Sequence, residues 1–183
     1  MQRDLLNLQS GVELQSLVAL FHRSLDELGT FDQRTSGALE EPFSRLLDHN
    51  AHMTVTVEAY HACPVDVKVL DIRHDEDFYS RKILLTRQSD GAVVQYGIVS
   101  IDKRTISTYV FEEIMAQQIP LGRILINHNV LREVKLNQLF SITAENELAQ
   151  CLSVEAGERV AGRTAIIECD GVPAIGLLEI VTR

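Results

Sequence analysis

The chain has 183 residues, 45% hydrophobic and 23% charged, with a formal net charge of −9. That suits one compact domain, 1–183, with a real core. The acidity excludes an extended phosphate-binding surface and so nucleic acid as a partner, and no run approaches the ~18 apolar residues that cross a bilayer.

The first residues, Met1 to Asn7, carry an acid and no uninterrupted apolar stretch. No export signal is expected, and the cytoplasm is the default location. Leu14, Leu17, Val18, Phe21, Leu25 and Leu28 recur at three- and four-residue spacing, which predicts an amphipathic helix over 12–28 stopped by Gly29. Residues 30–42 read as a loop, and a short helix follows around 43–48. Residues 1–42 thus form a helical extension packed on the same domain.

From Met53 the period changes to two. Met53, Val55, Val57 and Ala59 alternate with Thr54, Thr56, Glu58 and Tyr60, which predicts a strand. Val65, Val67 and Val69 mark another. Tyr79 to Arg87 and Ala92 to Ile101 flank Asp90-Gly91, a hairpin signal. Ser107 to Gln118 reads as a helix closed by Ile119-Pro120. Val134 to Thr143 is strand-like and Glu145 to Leu152 a short helix. Arg159 to Cys169 and Val172 to Thr182 flank Asp170-Gly171 as a second hairpin. Strands joined by tight turns, with few helical crossovers, predict an α+β fold built on an antiparallel sheet.

Cys63, Cys151 and Cys169 are odd in number and far apart, so neither a disulfide framework nor a zinc ribbon is indicated. His49 and His52 have a spacing one helical face can use for metal, but they precede a strand-like run, and no metal site is predicted. Gly162-Arg163-Thr164 belongs to a strand pattern rather than a phosphate loop.

One residue does not fit its surroundings. Glu179 lies inside Ile175-Gly176-Leu177-Leu178-Glu179-Ile180-Val181, apolar in both parities, so a strand here is covered on both faces. A buried carboxylate needs a basic partner, a raised pKa, or a pocket that uses it. Arg81, in Tyr79-Ser80-Arg81-Lys82-Ile83-Leu84-Leu85, shares a face with Ile83 and Leu85 and is a candidate partner. Together the two can line a small site for an anionic, hydroxyl-bearing ligand. Each alone is more often a structural ion pair or an edge position that reaches water.

Four segments stand out in order and spacing: Met53-Thr54-Val55-Thr56-Val57-Glu58, Tyr79 to Leu85, Ile119-Pro120-Leu121-Gly122-Arg123-Ile124-Leu125, and Gly176-Leu177-Leu178-Glu179. With them the chain resembles the chorismate lyase family, in its cyanobacterial, archaeal and actinobacterial branch, from about residue 43 to the C-terminus. The resemblance implies one antiparallel sheet of about six strands, with helices and flap-like segments enclosing an internal ligand site. It implies a carbon–oxygen lyase that removes pyruvate from chorismate and leaves 4-hydroxybenzoate, with no metal or organic cofactor. Carried over by motif, Arg81 clamps the ring carboxylate and Glu179 stands near the ether oxygen. Leu121 and Gly122 offer backbone N–H groups to the carboxylate, and Met53 and Thr54 contribute backbone at the oxygen end.

The same fold serves as the effector-sensing domain of a group of bacterial transcription regulators. A non-catalytic binding module for an aromatic or carboxylate effector is therefore the alternative, with a paralogue acting on a related cyclohexadiene acid as a third. Some fifty residues precede Met53 and show no recognition helix, so the enzyme is the preferred sequence reading. A monomer or homodimer is expected.

Overall fold

The structure is a computed structural model that describes Leu8, residues 11–130 and residues 132–183. The segment 1–7, read above for an export signal, lies outside the described residues. Along the chain come α1 (Leu14–Val18), β1 (Gly29–Arg34), α2 (Phe43–Leu47), α3 (Met53–His61), β2 (Val65–His74), β3 (Phe78–Arg87) and β4 (Val93–Asp102). They are followed by α4 (Thr108–Met115), α5 (Leu121–Asn127), β5 (Arg132–Ala144), α6 (Asn146–Leu152), β6 (Arg159–Cys169) and β7 (Val172–Val181). The strands form one antiparallel seven-stranded sheet in the order β1-β5-β6-β7-β4-β3-β2. The α+β class and the antiparallel sheet agree with the sequence, with one strand more than expected.

The period of two on the central strands divides the core. On β7, Leu178 and Ile180 join a rear cluster with Tyr96, Ile98, Phe140 and Ile142. That face is covered by Leu14, Leu17, Val18 and Leu28 from the N-terminal segment and by Leu148 and Leu152 from α6. Ile175 and Leu177 point to the front, where α4 and α5 supply Val110, Ile114, Leu121, Ile124 and Leu125. Further along the front, Val181 and Leu85 meet Phe43, Leu46 and Leu47 of α2 and Met53 and Val57 of α3. Both faces of β7 are buried, as the apolar run implied. The two Asp-Gly hairpins form where they were predicted.

Three predicted elements are corrected. The helix expected over 12–28 shrinks to α1 and a 3-10 turn at Leu25–Glu27. The apolar spacing that suggested a continuous helix instead seats the segment on the sheet at separate points. His22 breaks the run, buried, with its Nε2 2.9 Å from the Tyr96 hydroxyl. Gly29 is not a helix stop but the first residue of β1, an edge strand in what was read as a loop, and pairs with Ala144. It holds φ +136, and a Cβ there would lie 2.0 Å from the Thr143 carbonyl oxygen, so only glycine fits.

The strand expected from Met53 is α3. Its buried residues are Met53, Thr54 and Val57, a helical stripe, while Val55 is exposed. Valine and threonine lower helix propensity by only tenths of a kcal/mol each, and the packing of α3 on α2, α5 and β2 outweighs that. Ala62, left-handed at φ 49, and Pro64 end the helix.

Candidate functional site

Between the front face of the sheet and the first turns of α3 and α5 lies a cavity with about 520 Å³ of space free of protein atoms, counted to its open mouth. Its walls are mostly apolar, with Ile83, Leu85, Val99, Ile167 and Leu177 among them. All six positions singled out in the sequence line it: Met53, Thr54, Arg81, Leu121, Gly122 and Glu179. The sequence reading missed His52, Gln95 and Arg163, which line it as well.

The helices bring their N-terminal turns together at this roof. Pro120 caps α5 without a side-chain bond, and the ladder starts with Arg123 and Ile124 donating to the Pro120 carbonyl. The N–H groups of Leu121 and Gly122 precede that ladder and have no intrahelical acceptor. What the sequence suggested as a turn is thus a helix start, with the same amides available. Gly122 suits the close approach of the two helices: a Cβ there would lie 3.0 Å from the Thr54 hydroxyl oxygen, close enough that Thr54 would have to give by a few tenths of an ångström. An ion pair between Arg123 and Glu58 fastens the same two helices.

The cavity is lined by two buried arginines in opposite states. Arg163 on β6 is 0% exposed and fully engaged. Its Nε donates to Glu179 Oε2 at 2.7 Å, Nη1 to the His49 carbonyl at 2.7 Å and the Leu47 carbonyl at 3.3 Å, and Nη2 to the Ala51 carbonyl at 3.0 Å. The basic partner of Glu179 is therefore Arg163, its cross-strand neighbour, and not Arg81. Arg163 also pins the 47–51 segment, which leads into α3, onto the sheet.

Arg81 on β3 is 1% exposed and nearly unmet. Its Nη1 donates to the Ile114 carbonyl at 3.3 Å, while its Nε is buried with no partner. No carboxylate pairs with it among the described residues. Burial pushes its pKa below the ordinary arginine value, opposed by the nearby Tyr79 hydroxyl. Tyr79 interacts with the guanidinium at close range, although neither its buried hydroxyl nor Arg81 Nε has a partner in hydrogen-bond geometry.

His52 stands at the cavity wall and accepts a hydrogen bond on Nε2 from Arg132 Nε at 2.7 Å. Burial, then the charges of Arg132 and Arg163, bring its pKa down to about 4, so the imidazole is neutral near pH 7. His49 gives a hydrogen bond from Nε2 to the Leu46 carbonyl and receives one on Nδ1 from Ala51 N–H. Both histidines are thus occupied in holding the loop before α3. Among the described residues no cluster of three or more His, Cys, Asp or Glu could hold a metal ion. Nor is any described helix long and apolar enough to cross a membrane.

Arg163 carried the same signal that exposed Glu179. It is a charge within Val160-Ala161-Gly162-Arg163-Thr164-Ala165-Ile166-Ile167, apolar on both sides. The turn at Asp170-Gly171 would by itself set Glu179 opposite Gly162, and it is a register shift between Ile167 and Glu168 that brings Arg163 opposite Glu179.

No protein-family model and no curated protein matches this chain. Solved structures do. PhnF from Mycobacterium smegmatis superposes with a TM-score of 0.53 at 11% identity, covering 72% of this chain and 63% of that one. The fold is chorismate lyase-like. The likeness is one of fold alone and does not extend to chorismate lyase in particular. Weaker similarity is found to the ligand-binding domain of a protein assigned to the GntR family of transcriptional regulators from Bordetella bronchiseptica, with TM-score 0.48, 15% identity, and coverage of 64% and 85%. The C-terminal domain of the histidine utilization repressor from Pseudomonas syringae gives 0.47 at 13% identity, covering 64% of this chain and 90% of that one.

Proposed function

We propose that this chain is a binding module for a small carboxylate-bearing molecule, held beneath α3 and α5 with Arg81 as its anion contact. The observation that carries the reading is the state of Arg81, a buried guanidinium with one backbone acceptor and an unpaired Nε. Leaving such a charge half met is costly. A ligand carboxylate meets it through two parallel N–H bonds, and the free N–H groups of Leu121 and Gly122 suit the same anion. Titration calorimetry with benzoate and its hydroxylated and aminated derivatives tests this. Arg81→Lys keeps the charge and loses the planar fork, and should weaken binding by about 1.5–3 kcal/mol. Arg81→Ala should abolish it; unchanged affinity in that variant would refute the anion contact.

A chorismate pyruvate-lyase is the second reading, favoured by one observation: the six positions that the resemblance assigns line one cavity. Two considerations place it second. Glu179 is half of an ion pair with Arg163, an arrangement suited to accepting from a ligand donor, and proton delivery would require breaking that pair. The structural comparisons give no support for catalysis. The preference for an enzyme is therefore not carried forward. Incubation with chorismate, without metal or cofactor, separates the two: pyruvate and 4-hydroxybenzoate identify an enzyme, whereas binding without turnover identifies a module.

A further inference from the structure

One polar side chain that faces the cavity has no hydrogen-bond partner inside the protein. Gln95 on β4 is 3% exposed, and its Oε1 is buried with no hydrogen-bond partner. Interiors rarely leave an amide oxygen dry and unpaired unless the group has another task. The backbone is also adjusted at this point. The β3–β4 ladder shifts register so that Leu85 pairs with Gln95 and Thr86 with Val93, which leaves Val94 as an extra residue. Consequently Val94 and Gln95, consecutive in sequence, are both buried toward the front. Bulges of this kind re-aim a side chain and are over-represented beside functional sites.

On the other side of β4, Gln95 pairs with Val181 and Gly97 with Glu179. Gln95 and Glu179 are therefore diagonal neighbours on adjacent strands, about 7–8 Å apart at their backbones and within reach of one ligand group. Each presents an acceptor. Gln95 Oε1 is unpaired, and Glu179 commits only Oε2, to Arg163. Arg81 is paired with Val99 at the other end, four residues along β3 from the Leu85–Gln95 pair, or roughly 13 Å of strand. Glu179, opposite Gly97, stands between these two levels and two strands across from Arg81, so the cavity has the guanidinium at one end and the two acceptors at its middle and far end.

Resting on the anion-binding reading above, we infer that the ligand carries at least two hydrogen-bond donors at the end remote from its carboxylate, and that Gln95 sets specificity by taking the second. An amino group or two adjacent hydroxyls satisfy both acceptors. A single hydroxyl satisfies one and leaves Gln95 orphaned.

Calorimetry on the full chain with four acids tests this: benzoate, 4-hydroxybenzoate, 4-aminobenzoate and 3,4-dihydroxybenzoate. Affinity should rise in two steps, from benzoate to the single-donor acid and then to the two-donor acids, by about tenfold for each acceptor satisfied. Gln95→Met keeps the length of the side chain without its acceptor. It should bring the two-donor acids down to the level of 4-hydroxybenzoate and leave benzoate unchanged. The wild-type series decides the matter by itself if that variant does not fold. A preference for only one of the two-donor acids supports the inference and tells an amine from a hydroxyl pair. Equal affinity for 4-hydroxybenzoate and both two-donor acids overturns it while leaving the anion site standing. Failure of all four to bind removes the anion site and the inference together.

Discussion

Exchanging each buried arginine for methionine should separate stability from binding, in opposite directions. Arg163→Met removes the Nε–Glu179 bond, a charge-assisted contact worth roughly 1.5–3 kcal/mol. It also strips donors from the carbonyls of Leu47, His49 and Ala51 and leaves Glu179 buried without a counter-charge. Breaking one side of a buried pair costs about 3–5 kcal/mol, and that is the expected loss here. At about 2–4 °C per kcal/mol for a chain of this size, the melting temperature should fall by roughly 6–20 °C. Arg81→Met removes a single bond to the Ile114 carbonyl and relieves a desolvated charge. It should therefore change stability by less than about 1 kcal/mol, or raise it, while removing carboxylate binding. Urea unfolding followed by circular dichroism gives both stabilities, and calorimetry gives the binding. A drop of 3 kcal/mol or more in Arg81→Met would show that Arg81 is a structural arginine with partners of its own. Wild-type stability in Arg163→Met would refute its role as the pin of the 47–51 segment.

Gly29→Ala places a methyl group where the Thr143 carbonyl oxygen stands and forces a non-glycine residue to φ +136, so a loss of about 2 kcal/mol or more is expected in urea unfolding. Near-wild-type stability would mean that β1 can leave the sheet edge at little cost. His52 has a folded-state pKa of about 4 against 6.5 when unfolded, so the unfolded chain binds the extra proton between those values. Its contribution is fully present above pH 6.5 and is lost as pH falls toward 4, with a slope of at most about 1.4 kcal/mol per pH unit. Midpoints of unfolding measured across that window should be steeper in the wild type than in His52→Gln; equal slopes would contradict the assignment. Glu179→Gln keeps an oxygen for the ligand but weakens the hold on Arg163, so stability should fall by about 1–3 kcal/mol with ligand affinity reduced less than in Arg81→Ala. If chorismate turnover is detected, a loss of about 10²–10⁴-fold in this variant would give Glu179 the proton-donating role.

Local pattern was enough for much of this protein. Strands β2 to β7 repeat every two residues or are closed by Asp-Gly turns, and those signals depend only on neighbours in the chain. The buried position of Glu179 was legible for the same reason, because the residues beside it are apolar on both faces of β7. Tertiary contacts decided the rest. The residues from Met53 to His61 carry a two-residue pattern, yet they form a helix because that buries Met53, Thr54 and Val57 on one stripe, with Met53 and Thr54 over the cavity and Val57 in the front core. Leu14 to Leu28 have helical spacing, but the segment bends to follow the rear of the sheet and to place His22 on Tyr96. The partner of Glu179 was a matter of register: β6 lies directly against β7, which sets Arg163 opposite Glu179 and leaves Arg81, two strands away, without a carboxylate. Side-chain type told which groups would be costly to bury. Only the order of the strands could decide which of those costs the protein meets internally and which remain for a ligand.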